Sequence, residues 1–293
     1  MVARTQAAGR TFVKALATDA PSGHRAGMNS IDDLDPKYRT ILCDIWGVIH
    51  DGGQLMPGVA ERLGRWKDEG RTIVLLTNAP RPASSVQRVL DRLGLPRHCY
   101  DAITTSGEAG IAALSDPIRP VGFLGDDEDR ADLENHGVTI VANGFAELAC
   151  TGLPDRYADP EMYRKLLEGL AKAGVVMHCL NPDRIVIHLG RREACAGALA
   201  DIFEAAGGHV EWYGKPHRPI YDHARRLAGN PPQEAMLAIG DGLPTDILGA
   251  ASYGIDAVYV SHGIHAGEPV PDDFASRHGL GDWRPVLTVE GLA

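Results

Sequence analysis

The stretch from residue 40 to residue 53 constrains the fold of this chain more than any other. Its apolar run, Ile41-Leu42-Cys43, ends abruptly in the carboxylate of Asp44, and turn-prone glycines follow. A short apolar run bounded by turn signals is typical of a strand buried on both faces of a parallel sheet. Ligands of such sheets bind outside the carboxyl ends of the strands, where a carboxylate can be a nucleophile or a metal ligand. Taken alone, Asp44 can equally be a turn residue or a helix cap.

The rest of the chain alternates strand and helix patterns. An amphipathic helix pattern runs from Pro57 to Gly70, a strand is expected at residues 72–76, a helix at 84–93 and a third strand from residue 102. This alternation predicts an α/β protein with a doubly wound parallel sheet. From about residue 112 to residue 210 the alternation continues in a block separable from the first, and the opening style returns from Val210. We therefore expect a core interrupted by an inserted module.

Within the inserted module, several segments carry specific expectations. Helices are expected at residues 161–173 and 193–206, and the acidic stretch at 127–130 is expected to be a solvated helix face. A helix is also expected at residues 11–17, before the core begins.

Composition limits the class of protein. Of 293 residues, 44% are hydrophobic and 23% are charged, which suits a globular protein with a substantial core. The formal charge of −10 disfavours nucleic-acid and membrane-surface partners. Five scattered cysteines without a C-x-x-C pair indicate reduced thiols in a cytoplasmic protein. No apolar run approaches the ~20 residues of a membrane helix, and the N-terminus lacks a signal-peptide core, although its basic bias leaves a transit peptide as an alternative.

Polar groups follow four of the predicted strands and would converge on one edge of a parallel sheet. They are Asp44, Thr77 with Asn78, Lys215, and Asp241 with Asp246. Together they match a phosphoryl-transfer site, in which one carboxylate attacks phosphorus, a hydroxyl and a lysine hold the phosphate, and other carboxylates bind Mg²⁺. Each group alone has an ordinary explanation as a turn, a cap, a surface lysine or a helix-start charge. Those explanations leave the shared placement at strand ends unexplained.

These motifs resemble those of the haloacid dehalogenase superfamily, specifically its subclass IIA of nitrophenyl and sugar phosphatases. The four matching motifs are D-I-W-G-V at 44–48, L-T-N at 76–78, G-K-P at 214–216 and G-D-G-L-P-T-D at 240–246. Thr105-Ser106 and the N-P-D turn at 181–183 are also similar. The resemblance implies a Rossmann-like core (37–110 and 211–293), an inserted α/β cap (111–210) and an N-terminal extension (1–36).

The resemblance also implies how a nucleophile and a metal would be arranged. Asp44 would be the nucleophile and a Mg²⁺ ligand, and the main-chain carbonyl of Trp46 would be a second ligand. Asp241 would ligate the same ion, with Asp246 beside it.

Substrate contacts are implied in the same way. Thr77 and Lys215 would hold the phosphate, Asn78 would contact or shape that pocket, and Asn181 and Asp183 would face it from the cap. The substrate would be a small phosphorylated metabolite of the sugar, aryl or acyl phosphate class. Charged residues near the cap turn can contact it or can be plain solvated charges; they are Arg184, His188, Arg191 and Arg192. Caps of this subclass often mediate dimers, so a homodimer is a further expectation.

Trp46 is the position where the chain departs from the family. The family has a second Asp there, which protonates the leaving alcohol and then activates water to cleave the aspartyl-phosphate. Such general acid–base help is worth about 10²–10⁴-fold, and an indole N–H has no usable proton-transfer pKa. His50 can replace the acid, the leaving group can be good enough to need none, or the bond cleaved can be carbon–halogen or carbon–phosphorus. The ranking is an Mg²⁺-dependent phosphatase-like hydrolase, then a phospho-ligand-binding protein, then a dehalogenase.

Overall fold

A computed structural model of the protein describes residues 30–188, 191–263 and 269–293. The helix expected at 11–17, and most of the extension at 1–36, lie outside these residues. The regular elements, in chain order, are β1 (Thr40–Asp44), α1 (Val59–Asp68), β2 (Thr72–Thr77), α2 (Ala83–Leu93), β3 (Ala102–Thr105), α3 (Ser106–Ser115), β4 (Pro120–Leu124), α4 (Asp127–Asn135), β5 (Thr139–Ile140), β6 (Glu147–Cys150), α5 (Arg164–Lys172), β7 (Val176–Cys179), β8 (Ile185–His188), β9 (Arg191–Ala194), α6 (Ala196–Ala205), β10 (His209–Trp212), α7 (Arg218–Leu227), β11 (Met236–Gly240), α8 (Leu248–Tyr253), β12 (Asp256–Val260), α9 (Phe274–Arg277) and β13 (Leu287–Val289).

Six of these strands form one parallel sheet, in the order β13-β12-β11-β1-β2-β3. The strand that begins the motif pattern, β1, lies in the middle and pairs with β11 on one side and β2 on the other. The doubly wound α/β sheet expected from the sequence is therefore confirmed. Because β1 is central, the polar residues after β11, β1 and β2 emerge side by side at the carboxyl edge.

Alternating side chains of β1 explain why helices cover both faces of this sheet. Ile41 and Cys43 point into a core with α1 and α2, whereas Leu42 points to the opposite core with α7 and α8. All three side chains are at most 1% exposed. Burying an Ile or Leu side chain contributes about 1.5–3 kcal/mol, so burial on both faces stabilises the same extended backbone.

Within the described residues, no helix is long and apolar enough to cross a bilayer.

A second parallel sheet, in the order β10-β7-β6-β4-β5, contains five strands. It has apolar clusters of its own, in which β6, β7 and α6 supply Leu148, Met177 and Phe203, each at most 2% exposed. A separate antiparallel hairpin joins β8 to β9. The division into a core at 37–110 and 211–293 and a cap at 111–210 remains a prediction.

Several local expectations differ from the structure, in a boundary or in a strand partner. The helix expected from residue 193 begins at Ala196, because Glu193 pairs with Val186 in the β8–β9 hairpin. The helix expected at 161–173 begins as a 3₁₀ turn, Pro160–Tyr163, and becomes α-helical at Arg164. The strand expected near Val210, which we associated with the first sheet, pairs with β7 in the second. The local pattern of a strand carries no information about which of two parallel sheets it joins.

Candidate active site

Carboxylates and hydroxyls from three neighbouring strands meet at the carboxyl edge of the six-stranded sheet. Asp44 and Thr77 are the last residues of β1 and β2, and Asp241 follows directly after β11. Asp246 lies in a π-helical turn, Leu243–Ile247, that leads into α8. All four side chains are buried, with exposures of 4–8%. The parallel order of the strands thus brings together residues that are far apart in the chain.

Lys215 connects these carboxylates. Its Nζ contacts Asp44 Oδ1 and donates to Asp246 Oδ1 at 2.9 Å, and its side chain is 4% exposed. We expected Lys215 at a strand end of the same sheet, and this was wrong: the strand before it, β10, belongs to the second sheet. The loop between β10 and α7 carries the lysine across to the first sheet.

The charges of this cluster do not balance. Burial, then the negative charge of Asp246, raise the pKa of Asp44 well above its usual range, and Lys215 only partly opposes them. Burial alone would lower the pKa of Lys215, but Asp246 and Asp44 raise it. Two buried carboxylates, Asp44 and Asp246, share the one ammonium of Lys215, so an excess of negative charge remains in this trio. Isolated buried charge is costly, and a bound cation would relieve that cost.

The donor set fits a hard divalent cation. Asp44, Asp241 and Asp246 each present a carboxylate oxygen, and these oxygens lie within 4.8 Å of one another. Carboxylate oxygens are the ligands that Mg²⁺ prefers. Gly47, the residue after Trp46, has a φ of +88°, and a Cβ there would collide with the Asp241 carboxylate, whose Cγ would be 2.7 Å away. The loop backbone therefore passes directly beside this carboxylate, which brings the Trp46 peptide to the cluster.

Asn78 joins the two halves of the site. Its Oδ1 accepts from Lys215 N at 2.6 Å, and its Nδ2 donates to Lys215 O at 3.2 Å and to Asp183 Oδ1 at 2.8 Å. Asp183 N in turn donates to Asn181 Oδ1 at 3.1 Å. The two residues expected to face the core from the inserted module do lie at this junction. Asn78 fixes the backbone that carries the lysine, and it also holds the N-P-D turn.

Thr77 presents its hydroxyl at the same edge, where Oγ1 accepts from Ala79 N at 3.3 Å. This bond holds the backbone in a turn after β2 and leaves the hydroxyl proton available for another acceptor.

Trp46 lies half-buried in the loop after β1 and packs edge-on against His50, with ring centroids 5.1 Å apart. A Cβ on Gly52, whose φ is +98°, would lie 2.6 Å from the indole, so only glycine fits beneath the ring. His50 is 3% exposed, and its Nδ1 accepts from Gly52 N at 3.0 Å. Burial lowers the pKa of His50. These contacts favour a structural role for His50 over that of a replacement acid.

A cavity of about 290 Å³ opens beside Trp46, between the two sheets. Its lining includes Trp46, Ala79, Pro80 and Arg81 from the first sheet's loops, and Asp126, Asp129, Thr151, Gly152, Leu153, Arg156, Asn181, Val186, Glu193, Ala194 and Cys195 from the inserted segment. Of the basic residues near the cap turn that we considered as substrate contacts, Arg184 pairs instead with Asp201 at 2.7 Å, and Arg191 lies over the Tyr157 ring. Neither lines the cavity.

Charged residues that the sequence analysis overlooked line this cavity. Arg81 pairs with Asp129 at 2.7 Å, with Glu128 at 3.0 Å and with Asp126 at 3.5 Å. Arg156 pairs with Asp126 at 2.9 Å and with Glu193 at 3.5 Å.

The expected solvated face at 127–130 was wrong for Asp129, which is 4% exposed. Asp126 accepts from Asp129 N at 2.8 Å, as an N-cap does. An Asp three residues before another acid is a recognisable cap pattern, and it could have located the start of α4.

The fold and the site together define a class of protein. In this class, a parallel α/β sheet carries a buried carboxylate–lysine cluster at its carboxyl edge and faces a second, inserted sheet. Two family models match the chain: one described as haloacid dehalogenase-like hydrolase over residues 41–139, and one described as HAD-hydrolase-like over residues 212–282.

Relatives agree with these matches. A solved structure of a hydrolase of the haloacid dehalogenase-like family from Brucella suis 1330 is 34% identical, with a TM-score of 0.78 over 90% of this chain and 98% of that one. Human glycerol-3-phosphate phosphatase is 29% identical over 77% of this chain and 79% of its own length. The ribonucleotide monophosphatase NagD of Escherichia coli is 26% identical over 77% and 88%. The chain belongs to the haloacid dehalogenase-like hydrolases, and these relatives support the expected subclass IIA and its class of phosphoric-ester hydrolases.

Proposed function

We propose that this protein is an Mg²⁺-dependent phosphatase-like hydrolase that uses Asp44 as nucleophile on a small phosphorylated metabolite. The observation that carries the proposal is the buried cluster in which Lys215 contacts both Asp44 and Asp246 beside Asp241. Acid nucleophiles of this kind form a covalent aspartyl-phosphate and split one difficult displacement into two easier ones. The phosphatases among the relatives support phosphorus as the reacting atom.

In the first step, an Asp44 oxygen attacks phosphorus, the ester P–O bond breaks, and the alcohol or phenol leaves with the bond electrons. Lys215 and the Thr77 hydroxyl hold the phosphoryl oxygens while their charge redistributes. In the second step, water attacks phosphorus and the P–O bond to Asp44 breaks, which regenerates the carboxylate; the protons of the attacking water leave with the released phosphate or pass to solvent. Asp44, Asp241, Asp246 and the Trp46 carbonyl would hold Mg²⁺, which supplies positive charge that keeps Asp44 ionised and stabilises the phosphoryl oxygens.

Trp46 limits which substrates this site can turn over. Its indole neither protonates a leaving oxygen nor accepts a proton from water at neutral pH. The first step is therefore efficient for esters with good leaving groups, such as aryl and acyl phosphates, and slow for alkyl phosphates. In the second step, the indole cannot act as the base that activates water, so the aspartyl-phosphate should persist.

Phosphate release across a panel of aryl, acyl, sugar and nucleotide phosphates tests the proposal. We expect release that requires Mg²⁺, stops with a chelator, and is lost in Asp44→Asn. Asp51→Asn is a matched control, because this Asp lies in the same loop, is exposed and caps Gly53 N and Gln54 N. Release that survives in Asp44→Asn would contradict the role given to Asp44.

A second candidate function is binding of a phosphorylated ligand without turnover, and it is favoured by the same Trp46. This alternative expects thermal stabilisation by some member of the panel, with Mg²⁺ binding intact and no phosphate released. Phosphate release by Trp46→Asp would then identify the tryptophan as the reason that the wild type releases none.

A homodimer and a cytoplasmic location, both expected from the sequence, remain predictions. Light scattering of the purified protein tests the first, and a mass equal to one chain would contradict it. Fractionation of cells that produce the full chain tests the second.

A further inference from the structure

The loop that carries Lys215 is closed by a pair of stacked rings. Trp212 is the last residue of β10 and His217 is the residue before α7, and their ring centroids are 5.0 Å apart with an interplanar angle of 10°. His217 N also donates to Gly214 O at 2.8 Å, so the backbone turns between the two ring-bearing residues. The four residues 213–216 therefore form a short closed loop, and Lys215 is one of them.

The indole of Trp212 is held in turn by the inserted segment. The Arg184 guanidinium lies over it, with Cζ 5.2 Å from the ring centroid, a distance at which a cation and an aromatic ring attract each other. The indole Nε1 donates to Glu204 Oε1 at 3.2 Å, and Arg184 pairs with Asp201 at 2.7 Å. Both carboxylates are on α6. Arg184, Trp212 and His217 thus form one group of side chains, the Trp212 cluster, that is anchored on α6.

The Trp212 cluster also joins the lysine loop to the N-P-D turn at 181–183. Arg184 Nη1 donates to Pro182 O at 2.9 Å. A Cβ on Gly214 would lie 2.6 Å from Pro182 Cδ, so a larger residue would push the lysine loop away from the turn. The strands before the turn and before the loop, β7 and β10, are parallel neighbours, with Cys179 opposite Trp212. The turn and the loop therefore leave the second sheet side by side, and the cluster holds them together.

His217 is uncharged in this cluster at neutral pH. Burial, and then the positive charge of Arg184, lower the pKa of His217 to about 4. A neutral imidazole stacks on the indole without repelling the nearby guanidinium. The stacking is therefore compatible with the arginine across the neutral pH range.

We propose that Trp212 is a positioning residue for Lys215. The lysine reaches Asp44 and Asp246 from a loop that begins in the second sheet, so its placement depends on where that loop crosses to the first sheet. Asn78 holds the backbone of Lys215 from the first sheet, and the Trp212 cluster holds both ends of the loop from the inserted segment. This inference rests on the proposed function, in which Lys215 holds the phosphoryl oxygens. Trp212 acts through the lysine and is not a catalytic residue.

Acylation of lysine amines tests the inference without turnover. The side chain of Lys215 is 4% exposed and paired with two carboxylates, so acetic anhydride should label it slowly in the wild type. Trp212→Leu removes the stacked ring, so labelling of Lys215, measured by mass spectrometry of its peptide, should rise several-fold. Trp212→Phe keeps a ring for stacking and should keep the slow labelling. His217→Leu removes the other ring and should give the same rise as Trp212→Leu.

Lys37 and Lys67 are internal references, because their side chains are 50% and 24% exposed and lie outside the cluster. Trp283→Leu is the matched control: Trp283 is a partly buried tryptophan packed on the first sheet, and its loss should leave Lys215 labelling at the wild-type rate. Unchanged labelling of Lys215 in both leucine variants of the cluster would overturn the inference. A rise shared by Lys37 and Lys67 would also overturn it, since it would show a general loosening of the fold.

Hydrolysis of 4-nitrophenyl phosphate separates this inference from the proposed function. We expect kcat/KM to fall by about tenfold to 10²-fold in Trp212→Leu, because a small displacement of a group that holds the reacting atoms has an effect of this size. Trp212→Phe should stay near the wild type. A wild-type rate in Trp212→Leu would overturn the positioning role. If the wild type releases no phosphate while the labelling follows the expected pattern, the proposed function fails and the placement of Lys215 by Trp212 stands.

Discussion

Asp129 gives a prediction whose size follows from the structure. Its carboxylate is 4% exposed and accepts from Arg81 Nε at 2.7 Å. Burial raises the pKa of Asp129 from 3.8 to about 6; Arg81 opposes this shift, and Asp126 adds to it. One tenfold change in proton affinity corresponds to about 1.4 kcal/mol, so ionising this buried group costs about 3 kcal/mol more than ionising it in the unfolded chain.

The sign follows from the raised pKa. A group with a higher pKa in the folded state adds stability that is fully present below its unfolded pKa and is lost as pH rises through its folded pKa. Asp129 therefore adds stability below about pH 4, and this contribution disappears between about pH 4 and 6. In Asp129→Asn no proton can be bound, so that part of the pH dependence should vanish.

Urea unfolding of the wild type and of Asp129→Asn, at pH values from about 4.5 to 7.5, measures this effect. The stability of the wild type relative to the variant should fall by about 2 kcal/mol across that range. The control is Asp127→Asn, an exposed residue in the same first turn of α4, which should track the wild type. Parallel curves for the wild type and Asp129→Asn, or a relative stability that rises with pH, would refute the reasoning.

Three further predictions concern the buried cluster. Lys215→Met removes the ammonium that pairs with two buried carboxylates, so the free energy of unfolding should fall by about 3–5 kcal/mol, as measured by denaturant titration; an unchanged value would contradict the pairing. Mg²⁺ should raise the melting temperature of the wild type but not that of Asp241→Asn, as followed by circular dichroism; equal shifts would remove Asp241 from the ligand set. Trp46→Asp should raise kcat/KM on alkyl phosphates by about 10²-fold or more, and no change in phosphate release would leave Trp46 with a role in shape only.

The fold of the first sheet could be predicted from the sequence because each of its central strands is short, apolar and bounded by a turn. Thr72–Thr77 and Met236–Gly240 satisfy this pattern, and the first of them ends within one residue of the limit expected at residue 76. The β8–β9 hairpin was not predicted. Its second strand, Arg191–Ala194, reads R-R-E-A, which has no strand alternation, and it is held in place by pairing with β8. Local propensity is overridden there by a partner strand.

The candidate site was predictable in part for a similar reason. Asp44, Thr77 and Asp241 follow strands whose order is fixed by a parallel sheet, so their meeting follows from topology. Arg81 and Asp129 are 48 residues apart and meet because the loop after β2 packs against the first turn of α4. No periodicity within either segment encodes that contact. The cavity beside Trp46 therefore could not be predicted from the sequence.

The covalent state of Asp44 during turnover tests the central claim most directly. Nitrophenolate is a good leaving group, so the first step with 4-nitrophenyl phosphate needs no acid. The second step is slow, because the Trp46 indole cannot act as a base toward water. We therefore expect a burst of nitrophenolate and, after an acid quench, a peptide containing Asp44 that is heavier by one phosphoryl group. The burst and the mass change should both require Mg²⁺ and should both be absent in Asp44→Asn. Steady phosphate release without a phosphorylated Asp44 peptide, unchanged in Asp44→Asn, would contradict the account.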